Sequence, residues 1–427
     1  MNRRSLYWLW LLSCLTTLNA GAGEPFDYDA GGHLKSRGTV QTYPDDSVFN
    51  PLTGSSATDL NMELRLLFSS DNGPWDFNTD GQLIILYGDT VEYTRELVEQ
   101  VPGYELLFGR LINDNRRWWD LTHTVEDESR RAVIARLDRL SVGYTDNDVS
   151  VRLGRQAITW SNGLIFTPMD IVNPFDPTQI DTEYKAGDDM LYGQFLRRNG
   201  HDIQAAYVVR RNPVSGDVAS DQVTLAAKYH GFADDFEFDV MAAYHYDEAV
   251  LAVGGSRDIG GAVWRGDLVL SDTRDEGVVT QFVINASYSW VWDDNNVSGS
   301  AEYFFNGFGQ HDGCYSPDCL ADNPDLIDHM ARRQLFTLGR HYLGGNLAIE
   351  MTPLFNFTTN LFWNLGDDSA LLQLVTQNSL DDNLTLLGAL AVPLGNKGTE
   401  YGGLETGIPG VYFSSKLSLL LQLGWYF

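Results

Sequence analysis

The sequence predicts an all-β fold, a transmembrane antiparallel β-barrel of about 18 strands, with 16 as the alternative count. Three observations predict it. From Phe26 to Phe427, tracts of alternating apolar and polar residues recur between turns rich in Asp, Asn and Gly, with no linker. Connections alternate between short and long. The chain ends on a strand whose apolar residues all share one parity.

The first segment is not part of that pattern. Met1–Ser5 carries two arginines and no acid, and Leu6–Leu18 is apolar but too short to span a bilayer. Ala20-Gly21-Ala22 offers a small-residue cleavage site, so residues 1–22 are expected to be a secretory signal and 23–427 a single barrel domain. Leu11-Leu12-Ser13-Cys14 resembles a lipoprotein box only loosely, and cutting there would truncate the apolar region. Beyond Ala22 no run approaches the roughly 18 apolar residues of a membrane helix, and the mean hydropathy is -0.22. Loss of Arg3 and Arg4 takes the formal charge from -29 to about -31, which argues against nucleic acid as a partner. Much of the acid lies in turns and loops (Asp45-Asp46, Glu126–Glu128, Asp293-Asp294), where it serves solubility before cation binding.

The last strand shows the period most clearly. Leu417, Leu419, Leu421, Leu423, Trp425 and Phe427 share one face, and Lys416, Ser418 and Gln422 the other. The Trp425-Tyr426-Phe427 ending resembles the carboxy-terminal signal read by the barrel-assembly machinery. In Val278–Trp292, Phe282, Ile284, Ala286, Tyr288, Trp290 and Trp292 are expected outside, and Gln281, Asn285, Ser287 and Ser289 inside. The same division recurs in 221–230, 235–246 and 355–365, and the polar faces are too hydrophilic for a dry core. One open sheet is therefore not expected, because a barrel leaves no unpaired edge in lipid.

Short turns at 71–74, 145–148, 199–200 and 293–296 are expected at the periplasmic end with both termini. The long connections 44–58, 89–129, 161–187, 309–340 and 395–409 are expected outside the cell or folded inward. Within 309–340, Asn323-Pro324 starts a predicted helix running to Leu335. Cys314 and Cys319 are expected to close a small disulfide loop, since their spacing and the single nearby His311 do not make a zinc site.

Val151-Arg-Leu-Gly-Arg-Gln-Ala-Ile-Thr-Trp160, followed by Asp170-Ile-Val-Asn-Pro-Phe-Asp176 and Asp188-Asp189, resembles the Gly-Arg-Gln strand and Asn-Pro loop of porin-like outer-membrane families, including alginate-export-like barrels. The resemblance implies that Arg152, Arg155 and Gln156 face the lumen, that Asp170 and Asp176 lie on a loop narrowing it, and that Asp188 and Asp189 belong to the same site. Strict alternation conflicts with this. If Arg152, Gly154 and Gln156 point inward, Arg155 points to lipid at a cost of about 2–4 kcal/mol at mid-membrane, so a bulge near Gly154 or a place near the rim is required. Pairing Arg155 with a carboxylate to hold the wall is an equal reading. Parity alone adds Lys228, Asp239, Arg265, Asp267, Glu302 and Glu350 to the inward charges. Their mixed signs point to no single ion.

No Gly-x-Ser-x-Gly elbow, haem-attachment motif or phosphate loop occurs. His230 and His245 face inward near Asp239 by parity, but isolated lumen histidines are usually wall residues, so no enzyme and no cofactor is expected. With no amino-terminal plug before Tyr28, energised uptake is not expected either. The function expected is passive diffusion of small hydrophilic solutes, with 161–187 shaping the constriction. The alternatives are a barrel serving an export or envelope-assembly apparatus with a periplasmic partner, and an adhesive barrel using the Cys314–Cys319 loop. Membrane lipid and lipopolysaccharide are the expected surroundings.

Overall fold

The computed structural model describes residues 27–101, 104–108 and 111–427; the expected signal segment lies outside them. Its main sheet has 19 strands, all antiparallel. One of them, Thr122–Glu128, pairs only with the first half of Arg131–Asp146 and is a side strand. The other eighteen form the closed wall. Closure joins Asp27–Thr42 to Leu417–Tyr426, in register from His33↔Tyr426 to Thr42↔Leu417. The terminal residue extends the seam: Gly32 N donates to Phe427 O at 2.8 Å and Phe427 N to Gly32 O at 3.0 Å. Every wall strand thus has two partners, as lipid requires of backbone that has no water to bond.

Side-chain parity sorts the two faces as the alternation predicts. Val278–Trp292 occupies its expected bounds. Ile284, Tyr288, Trp290 and Trp292 stand exposed on its outer face, while Gln281 and Asn285 are buried inside. In the predicted tract 221–230, Ser220–Gln222 is instead a 3₁₀ turn, and the strand runs Thr224–Ala233. The chain there is still descending from the loop before it.

One end of the barrel carries tight turns. Asp293 and Asp294 both have positive φ, 50° and 63°, the geometry of a two-residue hairpin turn that matches strand twist. Both ends of the described chain lie there. The opposite end carries the long connections, although three links there, through Tyr246-Asp247, 273–277 and 365–368, are also short. The alternation of long and short is therefore incomplete.

The long loops are not loose. Tyr43, Phe49, Tyr93, Tyr104, Phe308, Leu326 and Phe413 come from four separate connections and share one apolar cluster. Helices Asp89–Gln100 and Tyr104–Phe108, which the alternation does not predict, contribute to it. The helix expected over 323–335 is shorter, Pro324–Ala331, with Asn323 accepting from Leu326 N. Arg333, at φ 57°, ends it. Cys314 and Cys319 are disulfide-bonded, with Cα atoms 5.9 Å apart.

Candidate functional site

Strand Val149–Gln156 leaves the wall after Gln156, and the chain rejoins it at Asp188–Leu196. Between them, residues 157–187 enter the lumen. Their contacts touch the wall strands in order around the barrel. Trp160 Nε1 donates to Gln204 at 2.6 Å. Asn162 Nδ2 reaches Asp239 at 3.0 Å and Asp267 at 2.8 Å; Ser161 Oγ and Asn162 N also donate to Asp267, at 2.7 and 2.8 Å.

Glu302 then accepts three successive backbone N–H groups, Leu164 at 2.7 Å, Ile165 at 3.1 Å and Phe166 at 2.6 Å. Gly344 leaves room for Ile165, whose Cδ1 would lie 2.6 Å from any Cβ there. Gln373 donates to Thr178 O at 2.7 Å. Asp181 takes bonds from Gln422 at 2.9 Å and Lys35 at 2.8 Å, and Lys35 also pairs with Glu183 at 2.7 Å. The Arg65 guanidinium lies 4.0 Å from the centroid of the Tyr184 ring. Lys185 closes the circuit on Asp170 at 2.6 Å. The segment is a collar that follows the inner wall all the way round, not a bar across it.

Where the strands on either side of the collar depart, the wall has a gap above them. Residues of the loop 111–121 and the side strand fill it. Thr122–Glu128 pairs with Arg131–Arg136, and Arg211 N donates to Arg116 O at 2.8 Å. Arg155 stands at the junction. Its guanidinium binds Asp189 at 2.8 Å, Asp114 at 2.8 Å, Trp119 O at 2.6 Å and Leu137 O at 3.2 Å, with no exposed surface. Gly154 permits this by adopting φ 136°, where a Cβ would sit 2.1 Å from Leu140 O. The lipid-facing parity of Arg155 is harmless because the inserted loop covers it.

Several predicted pore residues are therefore wall or collar parts and do not line an open passage. Arg155, Gln156, Asp170, Asp188, Asp189, Asp239, Asp267 and Glu302 are all buried. Asp188 is consumed by Arg210 at 2.8 Å. Lys228, with little exposed surface, pairs with Asp239 at 3.1 Å. Four predicted residues keep more exposure. Arg152 pairs with Asp76 at 3.1 Å, which reaches across Gly143, where no Cβ could fit. Arg265 donates to Ser287 at 2.9 Å, Glu350 accepts from Asn296 at 2.8 Å, and Asp176 caps Thr178 N at 2.8 Å.

The two lumen histidines do not meet. His230 lies against Asp239 at 3.0 Å, whereas His245 lies opposite Thr224 at the other end of the strand pair. Parity alone could not find Asp114, Asp181 or Lys185, which lie in loops. Lys35 and Arg65, however, occupy the inward face of the first two strands and carry that signal in their alternation.

In sequence the chain matches no family model and no curated protein. In structure it is similar to a BenF-like porin from Pseudomonas fluorescens Pf-5, with TM-score 0.52, 10% identity and coverage of 94% of this chain and 98% of that one. The outer membrane protein opdK from Pseudomonas aeruginosa matches at TM-score 0.52 and 9% identity, covering 94% and 98% of the two chains. Wzi, described as a carbohydrate-binding β-barrel involved in group 1 capsule assembly in Escherichia coli, matches at TM-score 0.53 and 9% identity, covering 98% and 87%. The fold is that of outer-membrane porin barrels.

Proposed function

We propose that this chain is a passive channel of the Gram-negative outer membrane, admitting small hydrophilic solutes through the collar 157–187. One observation carries the reading: the collar runs round a closed barrel and is bonded to its wall strand by strand, which sets an aperture without occupying a separate plug domain. Arg152, Arg265, Glu350 and Asp176 are the charges we assign to the solute path. Their mixed signs favour polar solutes of modest charge over one ion class. No catalytic step or cofactor is part of this reading. Residues 23–427 act as one unit, with Trp425-Tyr426-Phe427 offered to the assembly machinery.

Liposome swelling with sugars, amino acids and organic ions of graded size tests it. Entry should fall steeply with solute size and weakly with charge sign. Liposomes holding fully inserted protein that never swell would overturn it.

The apolar cluster joining four outer loops favours a second reading, a barrel that holds a partner at its mouth. Stable co-purification of an envelope partner bound at that mouth, together with negligible solute flux, would select the export or assembly form of that reading. Loss of surface binding on deletion of 314–319, with permeability unchanged, would select the adhesive form.

A further inference from the structure

A cavity of about 430 Å³ lies between the collar and the apolar cluster of the outer loops. That volume is within the roughly 300–1,000 Å³ typical of small-molecule sites. Its floor is the inner face of the wall: Thr39, Asn61 and Ser418 on neighbouring strands, with Ser415 just before the last of them. Among the described residues, none of these four side chains has a protein hydrogen-bond partner. Each hydroxyl or amide can both donate and accept. The opposite side is aromatic, formed by Phe49, Tyr93, Tyr104 and Phe413, whose ring centroids lie 5.1–6.5 Å apart along the contacts of Phe49.

Charge is distributed in a way that selects. Asp59 is the single described carboxylate lining the cavity, and it is already committed to Thr90, accepting from Thr90 N at 2.9 Å and Thr90 Oγ1 at 2.5 Å. The nearest cations on the first strand, Lys35 and Arg37, are both bound to Asp181 of the collar, at 2.8 and 3.3 Å. Among the described residues no cation lines the cavity to receive an anion.

We propose that this cavity is a binding site for a neutral polyhydroxylated ligand, a sugar, presented to the outer side of the collar. Such a ligand matches both walls. Its hydroxyls exchange donor and acceptor roles with the free Thr, Ser and Asn groups, and its C–H faces lie against aromatic rings whose π surface is weakly negative. A carboxylate or phosphate would meet Asp59 with no compensating positive charge among the described lining residues and would be disfavoured.

Isothermal titration of the full chain in detergent tests this, with maltose, glucose, glucuronate and succinate as probes. Maltose or glucose should bind saturably, and glucuronate and succinate about tenfold or more weakly. Asn61→Ala should weaken sugar binding about tenfold, and Ser415→Trp, which fills the cavity, should abolish it. Heat-modifiable gel mobility reports that each variant is folded. Acids binding as tightly as sugars, sugar binding untouched by both variants, or no saturable sugar binding would each overturn the proposal. Binding is read without a membrane, so its failure leaves the channel reading intact. A barrel that binds maltose but never conducts removes the channel reading and keeps the site.

Discussion

Two structures fill the barrel, and they are held in opposite ways. The collar is fixed by hydrogen bonds to buried carboxylates, Asp239, Asp267 and Glu302, that accept its side-chain amide, hydroxyl and backbone N–H groups. Each anchor belongs to a different strand; Asp239 and Asp267 share the Asn162 amide, and Glu302 takes its own three backbone N–H groups. The cap at the outer mouth is held by an apolar cluster shared among four loops. Its members hold one another, and losing one loosens all. A charge-assisted bond contributes about 1.5–3 kcal/mol but only at its own position, whereas apolar packing is non-directional and collective. The collar should therefore fail locally and the cap cooperatively.

The largest effect should come from the clasp between the wall and the inserted loop 111–121. Arg155→Ala removes the buried guanidinium shared by Asp114 and Asp189, leaving Asp114 to Arg117 and Leu121 N and Asp189 to Trp119 N alone, and unfolding by denaturant should show a loss of about 3 kcal/mol. Arg155→Lys should restore little of it, because an ammonium cannot satisfy four acceptors arranged around a planar guanidinium. Equal stability of Arg155→Ala and the parent would show that the inserted loop 111–121 is not held there.

Next is an acidic pin in the cap. Glu400 accepts from Tyr342 OH at 2.7 Å, Asn364 at 2.8 Å and Leu338 N at 2.9 Å, tying two outer loops to the wall. Burial outweighs these bonds and pushes its pKa from 4.5 up to about 7. The folded form thus prefers the proton. Its contribution is fully present below pH about 4.5 and declines as pH rises to about 7, by up to about 3 kcal/mol. Limited proteolysis of loop 395–416 should accelerate over that window, and Glu400→Gln should flatten the profile.

A smaller effect is expected at the apolar centre of the cap. Leu326→Ala should cost about 2 kcal/mol, near the low end for such truncations because loops collapse around a cavity more readily than strands do. The diagnostic result is that proteolysis rises together in loops 43–55, 89–108 and 307–340. A rise confined to 307–340 would break the contrast with the collar. The smallest effect should follow the paired change Cys314→Ser/Cys319→Ser. A sequence separation of five residues closes so short a loop that the loss should be about 1–2 kcal/mol, detected as a lower melting temperature with unchanged conductance.

The wall was legible from the sequence because a membrane strand exposes one parity to lipid, and Leu417–Phe427 or Val278–Trp292 cannot be read otherwise. Parity also placed Asp239, Asp267 and Glu302 on the inner face. It could not show that Asn162 and 164–166 would cover them, since alternation names a face and not what lies over it. Arg155 is instructive: its conflict with alternation was visible, but the resolution depends on Asp114 in a loop without period. The cap carried a signal of a different kind. Tyr43, Phe49, Tyr93 and Phe413 are large apolar groups in connections outside the bilayer, where they must pack on something, yet their partners come from loops far apart in the chain.

The decisive measurement is single-channel conductance in planar bilayers of the parent and the double variant Asp267→Ala/Glu302→Ala. These changes remove two collar anchors and leave the wall's backbone pairing intact. If the collar sets the aperture, the parent conducts in discrete steps, and the double variant shows larger, noisier steps with a higher size limit for solutes. Identical conductance and size limit in the two proteins, or a parent that inserts and never conducts, would contradict it.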